Sequence, residues 1–339
     1  MGRDNAEGRW GTVDNTLYLV VPCYNEEEVL RDTAGKLGAK MKALAASGRI
    51  SGESRVVFVD DGSRDRTWAI IEELGGADAL FAGVKLSRNR GHQHALLAGL
   101  MTARGEADMY ISLDADLQDD IEAIDAMVGE FLGGCDIVYG VRKSRSKDTF
   151  FKRATAEGFY WMLKKLGCDI VFNHADYRLM SARALDALSE YGEQSPYLRG
   201  IVPQIGYRTA TVEYDRGARE AGESKYPLKR MLSLAFDGLL SLSLKPLRIV
   251  TATGALMLLA AFALLVYSLV TVFMGQSMLD WKIVTVSVWA VGGIATLSIG
   301  IVGEYVGRAF AETKRRPRYF VERTRGLAQP QGGGRDSEG

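Results

Sequence analysis

The chain has 339 residues, 47% of them hydrophobic and 25% charged, which is enough for one large folded domain with further elements attached. Lys plus Arg and Asp plus Glu number 42 each, so the overall charge gives no support to nucleic acid or an acidic macromolecule as a partner. Cys23, Cys135 and Cys168 lack metal-ligand spacing and read as reduced, packed thiols of a cytosolic domain.

Residues 1–15 are polar and carry no apolar stretch of signal-peptide type, so they are expected to form a flexible N-terminus on the cytosolic side. Leu17 to Val21 is a buried-type strand that breaks into Pro22-Cys23-Tyr24-Asn25-Glu26-Glu27. Helical spacing follows over Val29 to Ala46. A second strand, Val56 to Val59, ends in Asp60-Asp61-Gly62-Ser63, and a helix is expected from Thr67 to Leu74. Asn89-Arg90-Gly91-His92-Gln93-His94 reads as a helix amino-terminus with Gly91 allowing close approach, the helix running over His94 to Ala103; two histidines without further ligands nearby do not make a metal site.

A third apolar run, Met109 to Leu113, ends in Asp114-Ala115-Asp116, with Gln118, Asp119 and Asp120 next. Two carboxylates two residues apart at the end of a strand can converge on one hard cation, Mg2+ or Mn2+, where the chain bends. A solvated acidic loop is the alternative for an isolated Asp-x-Asp. Strand and helix alternate along this stretch, which predicts an α/β fold with a mostly parallel sheet and helices on both faces. Ligands of such sheets bind beyond the carboxyl ends of the strands, where all three polar clusters would gather.

Asp136 to Val141 is expected to be a further strand, followed by Arg142 and Arg145, placed either to neutralise a diphosphate or as surface arginines. Asp176 either stands near a reacting centre or forms a buried structural pair with Arg178. The loop over 215–227 carries Arg216, Arg219, Ser224 and Lys225 between Gly217 and Gly222 or beside them. These groups suit a phosphate cradle at headgroup depth, with plain attraction to anionic lipid as the alternative.

Leu228, Met231, Leu232, Ala235, Phe236, Leu239 and Leu240 fall at three-and-four spacing, which makes 228–247 an amphipathic helix, set along the bilayer surface or packed on the cytosolic domain. Two charge-free runs, Ile249 to Met274 and Ile283 to Gly303, are each long enough to span a bilayer of ~30 Å. A short connector with Trp281 joins them into a two-helix hairpin within 248–307. Lys245 and Arg248 before it, and Arg308, Lys314, Arg315, Arg316 and Arg318 after it, put both termini in the cytosol. Gly292, Thr296 and Gly300, with Gly303 and Gly307, form a small-residue stripe for packing either the hairpin or a homo-oligomer. Residues 308–339 read as a basic cytosolic tail, disordered from Gly326 onward.

With these motifs in order, the chain resembles glycosyltransferase family 2 enzymes of the polyprenyl-phosphate type, similar to dolichyl-phosphate mannose synthases and bactoprenol glucosyltransferases. The resemblance runs from about Thr16 to Phe310 and rests on Val20 to Glu27, Val59 to Ser63, Asn89-Arg90-Gly91 and Leu113 to Gln118. It implies a GT-A (Rossmann-like) cytosolic domain over 16–227. It further implies that Pro22, Tyr24, Glu26 and Asp61 line the nucleotide pocket, and Asn25, Asp60, Asn89, Asp114 and Arg142 are expected to complete the donor site. Asp114, Asp116 and Gln118 would hold Mg2+ or Mn2+ against the diphosphate, and Arg216, Arg219, Ser224 and Lys225 would hold the acceptor phosphate. Asp116 and Asp176 carry the catalytic expectation, Asp176 by orienting the acceptor or a sugar hydroxyl.

The Gln-x-x-Arg-Trp motif of processive synthases is missing, since Gln194 is followed by Arg199 without a tryptophan, so transfer of a single sugar is expected. The implied reaction is inverting transfer from a nucleotide-diphosphate sugar, UDP-glucose first, to undecaprenyl phosphate at the cytosolic face of a cell's inner (plasma) membrane by a multi-pass protein. Mannose or a modified arabinose as the sugar, a glycan or protein as the acceptor, and a nucleotide-sugar-sensing scaffold are the alternatives.

Overall fold

The computed structural model describes residues 15–143, 174–194, 196–215 and 281–327, with scattered positions between 250 and 274. In chain order the described elements are β1 (Leu17–Cys23), α1 (Leu30–Ala46), β2 (Arg55–Asp60), α2 (Thr67–Ala77), β3 (Phe81–Leu86), α3 (His92–Ala103), β4 (Met109–Ser112), α4 (Ala123–Leu132), β5 (Ile137–Arg142), β6 (His174–Ser181), α5 (Ala182–Ser189), α6 (Leu198–Ile201), β7 (Thr209–Tyr214), α7 (Trp281–Thr313) and β8 (Val321–Arg325). They form one sheet in the order β7-β5-β6-β4-β1-β2-β3-β8.

The centre of the sheet is parallel, β1 pairing with β2 and β4 and β2 with β3, as the strand and helix alternation predicts. Every residue of β1 is buried, as expected of a strand covered on both faces. The period of two sorts its side chains: Leu17, Leu19 and Val21 join the core layer of α1, α2 and α4, while Tyr18 and Val20 join that of α3, α5 and α6. Helix α1 supplies its share with Leu30, Ala34, Leu37, Met41 and Leu44, a three-and-four stripe facing the sheet.

Two strands depart from the parallel pattern. β6 enters antiparallel between β4 and β5, and β8 pairs antiparallel with β3 at the far edge. The sequence reading does not foresee β8; it treats those residues as part of a basic tail. Within that stretch Val321–Arg325 is an edge strand, Val321-Glu-Arg-Thr-Arg, whose charged side chains suit the rim of a sheet. The chain divides into two compact units, the first made of Met1–Ala156, Ile170–Lys225 and Pro317–Gly339 and the second of Glu157–Asp169 and Tyr226–Arg316.

The second unit contains α7, which starts at Trp281 and continues ten residues beyond the expected end of the second span. Its Ala290–Thr313 portion is long and apolar enough to cross a membrane. Apolar side chains such as Leu297 and Ile299 stand open at 65% and 72% exposure. Gly292, Gly300, Gly303 and Gly307 also face open space among the described residues. The first expected span falls largely outside the described residues, as do the amphipathic helix of 228–247, Arg145, Cys168, residues 1–14 and residues 328–339.

Candidate active site

The three acidic clusters gather at the carboxyl ends of β1, β2 and β4. On the β1 side, Asn25 adopts a left-handed backbone, φ +55°, and is stitched to the loop after β2. Its N–H donates to Ser63 Oγ at 2.9 Å, and its Oδ1 accepts from the Arg64 N–H at 2.9 Å. The Glu26 N–H donates to Thr67 Oγ1 at 2.9 Å, while Tyr24 stands exposed beside Pro22. At the end of β2, Asp60 is fully buried and its Oδ1 accepts the Ser63 N–H at 2.9 Å. Asp61 is also buried; its two oxygens accept the N–H groups of Arg90 at 2.7 Å and Gly91 at 2.8 Å. Burial pushes both carboxyls above the ordinary range, against these hydrogen bonds.

This loop contact dictates Gly62. At φ +67° an added Cβ would lie 2.5 Å from the carbonyl carbon of Arg88 and 2.6 Å from the nitrogen of Asn89. Asn89 thus passes directly against the Asp61 turn.

The β4 side is assembled differently. Antiparallel pairing puts Ser112 opposite Arg178, so two residues onward in opposite directions Asp114 and Asp176 face each other across the strand ends. His92, the first residue of α3, joins them: its Nε2 lies 3.6 Å from Asp114 Oδ1 and 3.5 Å from Asp176 Oδ2. Asp176 is 6% exposed. Arg199 donates to both its oxygens, Nε to Oδ1 at 3.2 Å and Nη2 to Oδ2 at 3.1 Å, and Gln93 Nε2 adds a bond to Oδ2 at 3.0 Å. Burial alone would raise the Asp176 carboxyl, but Arg199 and His92 overcome it and hold it well below the usual carboxylate range. His92 is raised in turn: burial disfavours its cation, and the neighbouring Asp176 and Asp114 prevail.

Asp176 therefore pairs with Arg199. Arg178, whose pairing with Asp176 is the sequence-level alternative, is fully buried on β6, and its guanidinium nitrogens have no hydrogen-bond partner among the described residues. Burial lowers its pKa, partly offset by the charge of Asp176.

Past β4 the chain turns through Leu117 at φ +44°, which folds Gln118 back onto Asp116; the side-chain amide donates to Asp116 Oδ2 at 2.6 Å. Asp119 Oδ1 accepts from Tyr214 Oη at 2.7 Å and Arg142 Nη2 at 3.2 Å, so Arg142 does reach the acidic loop. Arg216, Arg219, Ser224 and Lys225 lie outside the described residues.

Metal-ion chemistry fits part of this set. Among the described residues, no three His, Cys, Asp or Glu side chains stand together as an all-protein metal site. Mg2+ is commonly held by one or two carboxylates and the phosphates of a substrate, which Asp114 and Asp116 can supply. Burial raises the Asp114 carboxyl, His92 opposes that, and the charges of Asp176, Asp119 and Asp116 add to it; this excess of negative charge is what a divalent cation would relieve.

Sequence reading missed His92, Gln93 and Arg199 as neighbours of Asp176. His92 carried a usable signal, its place at a glycine-led helix start between two acidic strand ends. The pairing of Asp176 with Arg199 had none, because it depends on the antiparallel entry of β6.

Known proteins resemble this chain in sequence. The glycosyl transferase family 2 profile matches residues 18–189. The chain is 46% identical over 306 residues to the uncharacterized glycosyltransferase YkoT of Bacillus subtilis, covering 90% of this chain and 91% of that one. It is 37% identical to the prophage bactoprenol glucosyl transferase homolog of Escherichia coli, covering 91% of this chain and 98% of that one. Against the bactoprenol glucosyl transferase of Shigella phage SfX the identity is 36%, over 90% and 98% of the two chains. The sheet, its acidic strand ends and these relatives together make the chain a member of glycosyl transferase family 2, and an enzyme that transfers glycosyl groups.

Proposed function

We propose that the protein transfers one sugar from a nucleotide-diphosphate sugar, UDP-glucose first, to a polyprenyl phosphate, undecaprenyl phosphate first, with inversion, at the cytosolic face of the plasma membrane. The observation that carries this reading is that the likeness to bactoprenol glucosyl transferases covers nine-tenths of the chain, α7 included, and is not confined to the catalytic sheet. In the proposed reaction an acceptor phosphate oxygen forms a bond to the anomeric carbon as the bond to the diphosphate breaks. A phosphate monoester has a second pKa of about 6, so this nucleophile is largely ionised at neutral pH and no base is required.

Pro22, Tyr24, Asn25, Glu26, Asp60, Asp61 and Asn89 would bind the nucleotide, and Arg142 would sit by its diphosphate. Mg2+ or Mn2+, held by Asp114 and Asp116 with Gln118 beside them, would supply charge stabilisation at the leaving diphosphate. Asp176, kept anionic by Arg199 and His92, suits a fixed hydrogen-bond acceptor for a sugar hydroxyl better than a proton acceptor. Arg216, Arg219, Ser224 and Lys225 are assigned to the acceptor phosphate.

The return of the chain supports a two-span hairpin. β7 and β8 belong to one sheet, so a polypeptide between them that entered a membrane would have to return to the side it left. A crossing by α7 therefore needs a second, for which Ile249 to Met274 is the charge-free candidate. Both termini then lie in the cytosol.

The test is incubation of the purified full chain with labelled UDP-glucose and undecaprenyl phosphate, with Mn2+ or with chelator. Label should enter the lipid fraction only with the metal. Absence of lipid-linked label with UDP-glucose, GDP-mannose and a modified arabinose donor alike would refute the proposal, and label on a glycan or protein acceptor would redirect it.

A further inference from the structure

The polypeptide that leaves α7 is fastened to the same loop that holds Asp61. Arg90 lies on that loop, between β3 and α3, and bonds in two directions. Its backbone N–H donates to Asp61 Oδ1 at 2.7 Å, next to the Gly91 N–H on Oδ2. Its guanidinium donates the other way, Nε to the Arg318 carbonyl at 2.7 Å and Nη2 to the Pro317 carbonyl at 3.0 Å. The Ser87 N–H adds a bond to the Phe320 carbonyl at 3.0 Å, and β8 then pairs with β3 from Leu86 and Val321 outward. Arg318 in turn donates to the Tyr191 carbonyl, and Tyr319 and Val321 pack against the core layer of α3. Three of four successive carbonyls, at 317, 318 and 320, are thus engaged by the 87–90 loop.

We infer that Arg90 is a positioning residue that couples the nucleotide pocket to the strap of residues 317–320, so that the returning chain preorganises the donor site. The inference rests on Asp61 belonging to that site. Gly91 is in a left-handed conformation, φ +89°, and the loop carrying it is held on one side by Asp61 and on the other by the strap. With the strap seated, the N–H groups of Arg90 and Gly91 stay on the Asp61 carboxylate and a nucleotide meets a finished pocket. With the strap released, the bound nucleotide has to order the loop itself, and that cost appears as weaker binding with no change in the chemical step. Linkage makes the effect reciprocal: a nucleotide that orders the loop also tightens the strap.

The experiment uses the full chain in lipid nanodiscs with Mn2+, and UDP or GDP as the probe. The nucleotide that binds should slow amide exchange in 87–91 and also in 317–325, by about threefold or more. In Arg90→Ala the slowing should persist in 87–91 at saturating nucleotide and vanish in 317–325. The donor KM of that variant should rise about tenfold with kcat within twofold of the parent. Arg90→Lys, whose single ammonium can reach one carbonyl at a time, should recover part of the KM loss, a graded response that a misfolded Ala variant would not produce. Slowing confined to 87–91 in the parent chain, or an Arg90→Ala donor KM within twofold of the parent, would overturn the coupling. If neither nucleotide slows either segment, the donor-site reading itself fails and the coupling with it.

Discussion

The two halves of the crevice are held by different kinds of bonds. On the β1 and β2 side, Asp60, Asp61 and Asn25 are fixed by backbone N–H groups of Ser63, Arg90, Gly91 and Arg64, all from adjacent loops. On the β4 and β6 side, Asp114 and Asp176 are surrounded by the side chains of His92, Gln93 and Arg199. Backbone donors stay in place only while their loops keep their shape, so the first half responds to whatever shifts those loops. The second half depends on particular side chains and is sensitive to each of them.

The largest effect is expected where charge develops. Asp116→Asn should reduce transfer by about a thousandfold or more, and Asp176→Asn by only about tenfold, in a lipid-extraction assay with saturating Mn2+. Equal and complete losses would mean that Asp176 serves as an essential base and that the assignment of roles within the second half is wrong.

Next comes the shape of the first half. Gly62→Ala combines a left-handed backbone with a Cβ lodged against Arg88 and Asn89, and should lower unfolding stability by about 3 kcal/mol in detergent. A change below about 1 kcal/mol would mean that the loop can move aside at little cost.

Arg199→Ala probes the second half. Breaking a buried pair costs several kcal/mol, and the 36% exposure of the Arg199 side chain reduces this to about 2 kcal/mol. The pH dependence has a definite sign. Asp176 is depressed in the folded chain, so its contribution is present above the ordinary carboxylate value of about 3.9 and is lost as pH falls through the lower folded value. The deficit of Arg199→Ala should therefore be full at neutral pH and shrink as pH drops below about 4. A deficit that does not vary with pH would assign Arg199 to packing.

The smallest effect is expected at Asp61. Asp61→Asn places an amide NH2 against one of two N–H donors and should raise the donor KM about fivefold with little change in kcat, measured by initial rates at saturating acceptor.

The same division decides what the sequence discloses. β1, β2 and β4 are legible because each is a short apolar run that stops abruptly in acid, and because α1 repeats leucine-type residues at three-and-four spacing. Asp60, Asp61, Asp114 and Asp116 stand out through the same local pattern. Arg142 reads from sequence either as a diphosphate partner or as a surface arginine, and its bond to Asp119 depends on tertiary placement that no local pattern announces. The pairing of Asp176 with Arg199 was not legible, since no local pattern announces that β6 runs antiparallel between two other strands. β8 was hidden for another reason: three of its five residues are charged, and a polar edge strand has the composition of a tail.

The position of β8 also bears on biosynthesis. While the ribosome is still making the middle of the chain, β3 has no neighbour on its outer side, and its hydrogen-bonding groups are open to any other extended polypeptide. At synthesis rates of about 5–20 residues per second, that rim stays uncovered for roughly ten to fifty seconds until Val321–Arg325 emerges. Chains cut short before Pro317 would leave that edge unpaired and should be prone to edge-to-edge aggregation.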